Sequence, residues 1–327
     1  MFKSRTSNFK DSNKNVLQNS IASIEMIKIG GVDQCILARG KNKNNPILLF
    51  LHGGPGTAQI GFAPKLQSKL EDDFVVINWD QRGAGKSFSR DIPVESMNIN
   101  QFVSDAHEII EILLERLGKE KLYLVGHSWG SVIGSLIAKK YPEKIHAYIG
   151  VGQVVNMKKN EEISYGFTLD KAKETNNKQA VKELNKIGYP PYANIKDTFV
   201  QRKWLNKFGG SMYEGSALKL VLKSISFREY SFLDWLRFMK NGEGFSVNNL
   251  WGELMETNLF KQIEELKVPV YFCVGRFDYQ TSFELVEEFY HQLDAPIKDL
   301  IWFEKSAHAP NFEEPEKFLQ VCRSAVQ

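Results

Sequence analysis

Only three cysteines, Cys35, Cys273 and Cys322, occur in 327 residues, far apart in the chain. So few give no disulfide framework to expect, and free thiols in a reducing compartment are the plain expectation. No Cys-x-x-Cys pair or His-rich spacing suggests a metal site, and no cofactor is expected. Long apolar runs are missing too: nothing approaches the roughly 18 apolar residues that a membrane helix needs, so no membrane span is expected. The first twenty residues, MFKSRTSNFKDSNKNVLQNS, lack the apolar core of a secretory signal, which makes the cytoplasm the default location. Charge of one sign is also scarce. The formal net charge is +3, and Lys and Arg gather in no single block, so nothing marks a nucleic-acid partner.

What is present is ordinary globular material, 43% hydrophobic and 25% charged. The length suits one large α/β domain, or a core domain carrying an insertion. Residues 1–20 read as a flexible, Asn/Lys/Ser-rich leader. Ile24–Ile29 and Gln34–Ala38, separated by Gly30-Gly31, look like a hairpin. The apolar runs Pro46–Leu51 and Phe74–Trp79 each stop at a Gly-rich turn, as strands buried on both faces of a parallel sheet do. A helix follows over Gln101–Leu117, with apolar residues at helical spacing and Gly118 placed to end it. Strand Lys121–Val125, a helix to about Lys140 and strand Ala147–Val151 continue the alternation of a doubly wound, mostly parallel sheet.

That rhythm breaks between about Val155 and Phe260, where the sequence is helical, rich in Lys and Asn, and aromatic, with Trp204, Phe227 and Trp251 among its rings. It resumes with strand Val268–Val274, a helix over Phe283–Leu293, strand Leu300–Phe303 and a last helix after Pro315. The expected organisation is a core in two parts, 21–154 and 261–327, with residues 155–260 inserted as a helical cap.

The strongest chemical signal is Gly126-His127-Ser128-Trp129-Gly130, which has a strand before it and a helix after it. That context lifts the serine out of a strained elbow above the sheet edge. The helix N-terminus beneath it favours developing negative charge. A serine hydroxyl needs a base to become nucleophilic, and in the chain order of such elbows the base lies downstream. His146 flanks a helix-to-strand connection and His291 falls inside a helix. His308 alone lies in a loop just past a strand, where open α/β sheets place their ligands. Asp278 likewise follows strand Val268–Val274 and would orient the base; a turn-forming Asp is the plainer alternative. Two backbone donors for an oxyanion are expected, one from Trp129 and one from Gly54, with Gly53 possible. His52 precedes the serine, so it fits a loop brace better than a base.

His52-Gly53-Gly54-Pro55-Gly56, Asp80-Gln81-Arg82-Gly83-x-Gly-x-Ser87 and Gly126-His127-Ser128-Trp129-Gly130, with Gly275-Arg276-Phe277-Asp278 and Ala307-His308, closely resemble the proline iminopeptidase-like branch of the α/β-hydrolases. The resemblance covers about residues 45–155 and 265–320. It implies the α/β-hydrolase fold with a helical cap, and release of an N-terminal residue, typically proline, from small peptides. It also implies that carboxylates hold the substrate's α-amine. The cap offers Glu214, Glu229, Asp234, Glu243, Glu253 and Glu256, of which Glu214, Glu229 and Glu253 are the candidates. His127 stands where relatives often carry glycine, and Tyr279 where some carry glutamate. An esterase, lipase-like or lactone hydrolase on an uncharged acyl substrate would use the same three residues, and an aromatic cap without converging carboxylates would favour it. A non-catalytic binding member of the fold is the remaining alternative, which an intact Ser128, Asp278 and His308 argue against.

Overall fold

The computed structural model describes residues 4–326 apart from 193, 215–221, 223, 227 and 239–242; Phe227 and the Glu243 side chain, both named above, lie outside what it describes. Eight strands form one sheet: β1 (Ile21–Ile29), β2 (Val32–Gly40), β3 (Ile47–Leu51), β4 (Val75–Asp80), β5 (Leu122–His127), β6 (Ile145–Val151), β7 (Val270–Gly275) and β8 (Lys298–Phe303). Their spatial order is β1-β2-β4-β3-β5-β6-β7-β8. From β4 to β8 all pairs are parallel, while β1 and β2 form the expected antiparallel hairpin at one edge. The doubly wound, mostly parallel sheet read from the alternation is therefore what the chain builds.

The central strands are buried on both faces, which is why β3 is apolar throughout. In β3, Ile47, Leu49 and Leu51 join one hydrophobic cluster while Leu48 and Phe50 join another, the period of two that a strand imposes. The first cluster takes in α1 (Ile99–Leu117), α2 (Trp129–Lys140) and α8 (Phe283–Gln292); the second takes in α9 (Pro315–Ser324). Asn98 caps α1 by accepting from the Gln101 amide, and Gly118 ends it at φ 61°.

Between β6 and β7 the described residues form α3 (Met157–Glu174), α4 (Lys178–Ile187), α5 (Ile195–Lys207), α6 (Phe232–Arg237) and α7 (Glu243–Met255). Helices α3, α4 and α5 share a small apolar cluster around Tyr165, Leu184 and Trp204. The asparagines of this stretch have a structural use, since Asn156, Asn177 and Asn194 each N-cap a helix.

The leader departs from expectation. Its composition predicts flexibility, yet it lies across the protein: the Arg5 amide donates to the Arg228 carbonyl, Thr6 to Glu229, and Arg39 to the Ser7 carbonyl. Polar composition hides this because its contacts are hydrogen bonds to cap and core rather than buried apolar surface. The three cysteines are buried and unpaired. Among the described residues no helix is long and apolar enough to cross a membrane.

Candidate active site

Strand β5 runs directly into α2 through Ser128, which holds φ 53° and ψ −121°. Few L-residues adopt that conformation, and backbone bonds enforce it here. The Ser128 amide donates to the Val151 carbonyl at 2.9 Å, and the Ser131 amide donates to the Ser128 carbonyl at 2.8 Å. The turn is tight enough that a Cβ on Gly126 would stand 2.7 Å from the Gly130 carbonyl oxygen, so glycine is required there.

His308 sits in the loop after β8, only 6% exposed. Its Nδ1 faces the Asp278 Oδ2 at 3.0 Å and the Thr281 hydroxyl at 3.1 Å. A proton on Nδ1 satisfies the carboxylate and leaves Nε2 as the basic nitrogen. That Nε2 is buried and has no partner among the described residues. Asp278, after β7, is fixed in turn: its Oδ1 accepts from the Gln280 and Thr281 amides, both at 2.9 Å. Ser128 and His308 line the same cavity of about 400 Å³, together with Gly53 and Gly54. Three residues separated by up to 180 positions are thus gathered at one rim of the sheet, at the carboxyl ends of β5, β7 and β8.

The loop after β3 supplies the rest of the floor. Gly54 holds φ 119°, and a Cβ there would press to 2.6 Å from the Thr57 amide, so only glycine lets the loop close over the serine. The Trp129 amide is the first of α2, where helical geometry provides no backbone acceptor. His52 braces this loop. Its Nδ1 donates to the Gly53 carbonyl at 2.8 Å and its Nε2 accepts from the Gln81 amide at 3.1 Å. Burial lowers its pKa to about 4, which keeps it neutral.

Two residues that hold the site take no role from the sequence alone, although Gln81 lies within the motif Asp80-Gln81-Arg82-Gly83. Gln81 donates from Nε2 to the His52 carbonyl at 3.0 Å and accepts the Trp129 indole N–H at 2.9 Å, tying the β3 loop to the serine elbow. Glu313 accepts from the Ala307 amide at 2.9 Å and the Tyr213 amide at 2.7 Å, holding the His308 loop against the cap. His127 donates from Nε2 to the His308 carbonyl at 2.9 Å, and burial lowers its pKa to about 4. Tyr279 stacks on Phe167 of α3 with ring centroids 3.7 Å apart, joining the Asp278 loop to the cap.

The candidates Glu214, Glu229 and Glu253 do not line the cavity beside Ser128. Glu253 accepts from the Ile99 amide at the start of α1, 2.8 Å away. Glu229 binds Thr6 and Ser226. Glu214 is exposed, and none of the three lines the cavity. A carboxylate finds whichever donor the fold brings near, and for Glu253 that donor lies 154 positions away. The described cavity wall is instead largely apolar, with Phe62, Phe199, Met212, Trp251 and Phe312, and its polar members carry no carboxylate.

A family model described as alpha/beta hydrolase fold matches residues 46–204. The probable aminopeptidase YbaC of Bacillus subtilis (strain 168) is 36% identical over 304 residues, which span 92% of this chain and 95% of that protein. The proline iminopeptidase of Heyndrickxia coagulans is 25% identical over 291 residues, 86% of this chain and 90% of its own. Among solved structures, a proline iminopeptidase-related protein from Thermus thermophilus superposes with a TM-score of 0.63 at 19% identity, covering 94% of this chain and 97% of that one.

Proposed function

Because the chain belongs to the α/β-hydrolases, in their proline iminopeptidase-like branch, we propose that it is a serine aminopeptidase releasing N-terminal proline or a small apolar residue from short peptides. The observation that carries this reading is the near full-length likeness to a probable aminopeptidase, joined to a serine and an imidazole lining one cavity, the imidazole backed by a carboxylate.

In the proposed mechanism Ser128 attacks the substrate carbonyl while His308 Nε2 takes the hydroxyl proton. Asp278 stabilises the imidazolium through Nδ1. The amides of Trp129 and Gly54, or Gly53, receive the oxyanion of the tetrahedral intermediate. His308 then returns the proton to the leaving amine, and an acyl-enzyme on Ser128 remains. Water, deprotonated by the same imidazole, hydrolyses the ester and restores the serine.

One observation favours a second reading: the described cavity wall is largely apolar and carries no carboxylate to receive an ammonium group. That suits an esterase or lactone hydrolase acting on an uncharged acyl compound through the same steps. Assays of proline and alanine arylamides beside short acyl esters separate the two. Arylamide turnover supports the aminopeptidase; esters cleaved with no arylamide turnover overturn it.

A further inference from the structure

Helix α5 presents one face to the cavity. Ile195, Thr198, Phe199 and Arg202 recur at the spacing of successive helical turns, and all four line the wall beside Ser128. Arg202 is the one permanently charged side chain among the described lining residues, and 20% of that side chain stays exposed.

The guanidinium is held rather than loose. One Nη donates to Glu161 of α3, a carboxylate with no exposure, and the other donates to Gln201 Oε1. Gln201 is itself pinned, its Nε2 donating at 2.9 Å to the hydroxyls of both Ser164 and Thr168. A guanidinium carries five N–H donors in a planar fork, and these two bonds fix its plane while leaving further donors. One turn away on the same face, the Thr198 hydroxyl is buried and has no partner among the described residues. A buried hydroxyl without a partner costs stability unless something fills it.

We infer that Arg202 and Thr198 form a subsite for a substrate carboxylate. The guanidinium supplies a charge-assisted bond to one oxygen and the Thr198 hydroxyl donates to the same group. On the aminopeptidase reading, on which the substrate's identity rests, the carboxylate is the free C-terminus of a dipeptide, a molecule of a size that a cavity of about 400 Å³ holds. Chains extended or amidated at that end lose the contact. Glu161 fixes the fork and offsets part of its charge, so it tempers the attraction for an anion.

The test compares kcat/KM for Pro-Gly and Pro-Gly amide, and in parallel for the esters acetoxyacetate and acetoxyacetamide, in which the carboxylate or its neutral amide sits on the leaving group as it does in the dipeptides. The ratio within one variant cancels any loss of folded protein. The wild type is expected to favour the acid at least about tenfold in each pair, the size of one charge-assisted contact. Arg202→Gln, and the double variant Arg202→Gln with Glu161→Gln that strands no buried carboxylate, are expected to bring the ratio to near one. Thr198→Val lowers it less, and Glu161→Gln raises it. Equal rates for acid and neutral forms in the wild type, or a preference that survives loss of Arg202, overturn the subsite. If esters alone are cleaved, yet the acetoxyacetate preference depends on Arg202, the aminopeptidase reading fails and the subsite stands.

Discussion

The indole nitrogen of Trp129 donates to Gln81 Oε1 across 2.9 Å, so the residue following the serine is anchored by the loop after β4. The same glutamine holds the His52 carbonyl, and with it the Gly53-Gly54 segment. The two proposed oxyanion donors therefore keep their spacing through one buried side chain.

Replacing that side chain tests the connection. Gln81→Leu leaves the indole N–H and the His52 carbonyl unpaired, each costing about 1–3 kcal/mol of stability. Activity is expected to fall more than the folded fraction does. Removing a whole oxyanion donor lowers kcat by about 10²–10³, and loosening both should cost about tenfold or more. Steady-state kinetics on protein verified as folded would show kcat reduced with KM little changed; a change confined to KM would refute the role.

Glu313 makes a parallel case for the base. Glu313→Gln keeps the shape but can accept from only one of the Ala307 and Tyr213 amides with its single carbonyl oxygen. The His308 loop then loses one of its ties to the cap. A kcat decrease of about tenfold is expected, in line with the sensitivity of such sites to small misplacement. Glu313→Ala should cost more, and an unchanged kcat in both would remove Glu313 from the positioning machinery.

Asp80 ties stability to pH. Burial raises its pKa to about 7, outweighing the Tyr230 hydroxyl and the Lys86 amide that favour the charged form. A folded-state pKa above the unfolded value means the native protein binds the extra proton. Its stabilising contribution is full below about pH 4 and fades as pH rises through about 7. Asp80→Asn lacks this term. Between pH 5 and pH 8 the wild type is expected to lose on the order of 2–3 kcal/mol relative to the variant, at about 1.4 kcal/mol per unit. Urea unfolding of both proteins at the two pH values measures it, and parallel pH profiles would contradict it.

Removing the proposed nucleophile or its supports gives the most direct check. Ser128→Ala is expected to abolish turnover and labelling by a fluorophosphonate probe. Asp278→Asn, which disfavours the required imidazole tautomer, should lower kcat by on the order of 10⁴. Labelling of Ser128→Ala at the wild-type rate would place the nucleophile elsewhere.

The core was readable because its physics is local. The run Ile47–Leu51 is apolar on both sides of the strand, and the turn that ends it is rich in glycine. Ser128, Asp278 and His308 could be picked out because each follows a strand, a position that chain order alone reveals. Partner choice in the cap was not readable. Glu229 and Glu253 read in the sequence as candidates for the substrate's amine, yet folding sets one beside Thr6 and the other beside Ile99. Arg202 was likewise hidden, because only the helical face shared with Thr198 and Phe199 puts it on the wall of the cavity that Ser128 also lines. Gln81 sits inside a recognised motif, yet its two buried bonds depend on loops that meet only in three dimensions.

The left-handed backbone at Ser128 implies an opposition between durability and chemistry. Holding a non-glycine residue there costs roughly 1–3 kcal/mol. Ser128→Gly would relax the elbow while deleting the hydroxyl, and should melt at or above the wild-type temperature although it does nothing to substrate. The chain thus holds a strained residue at the position proposed for its nucleophile.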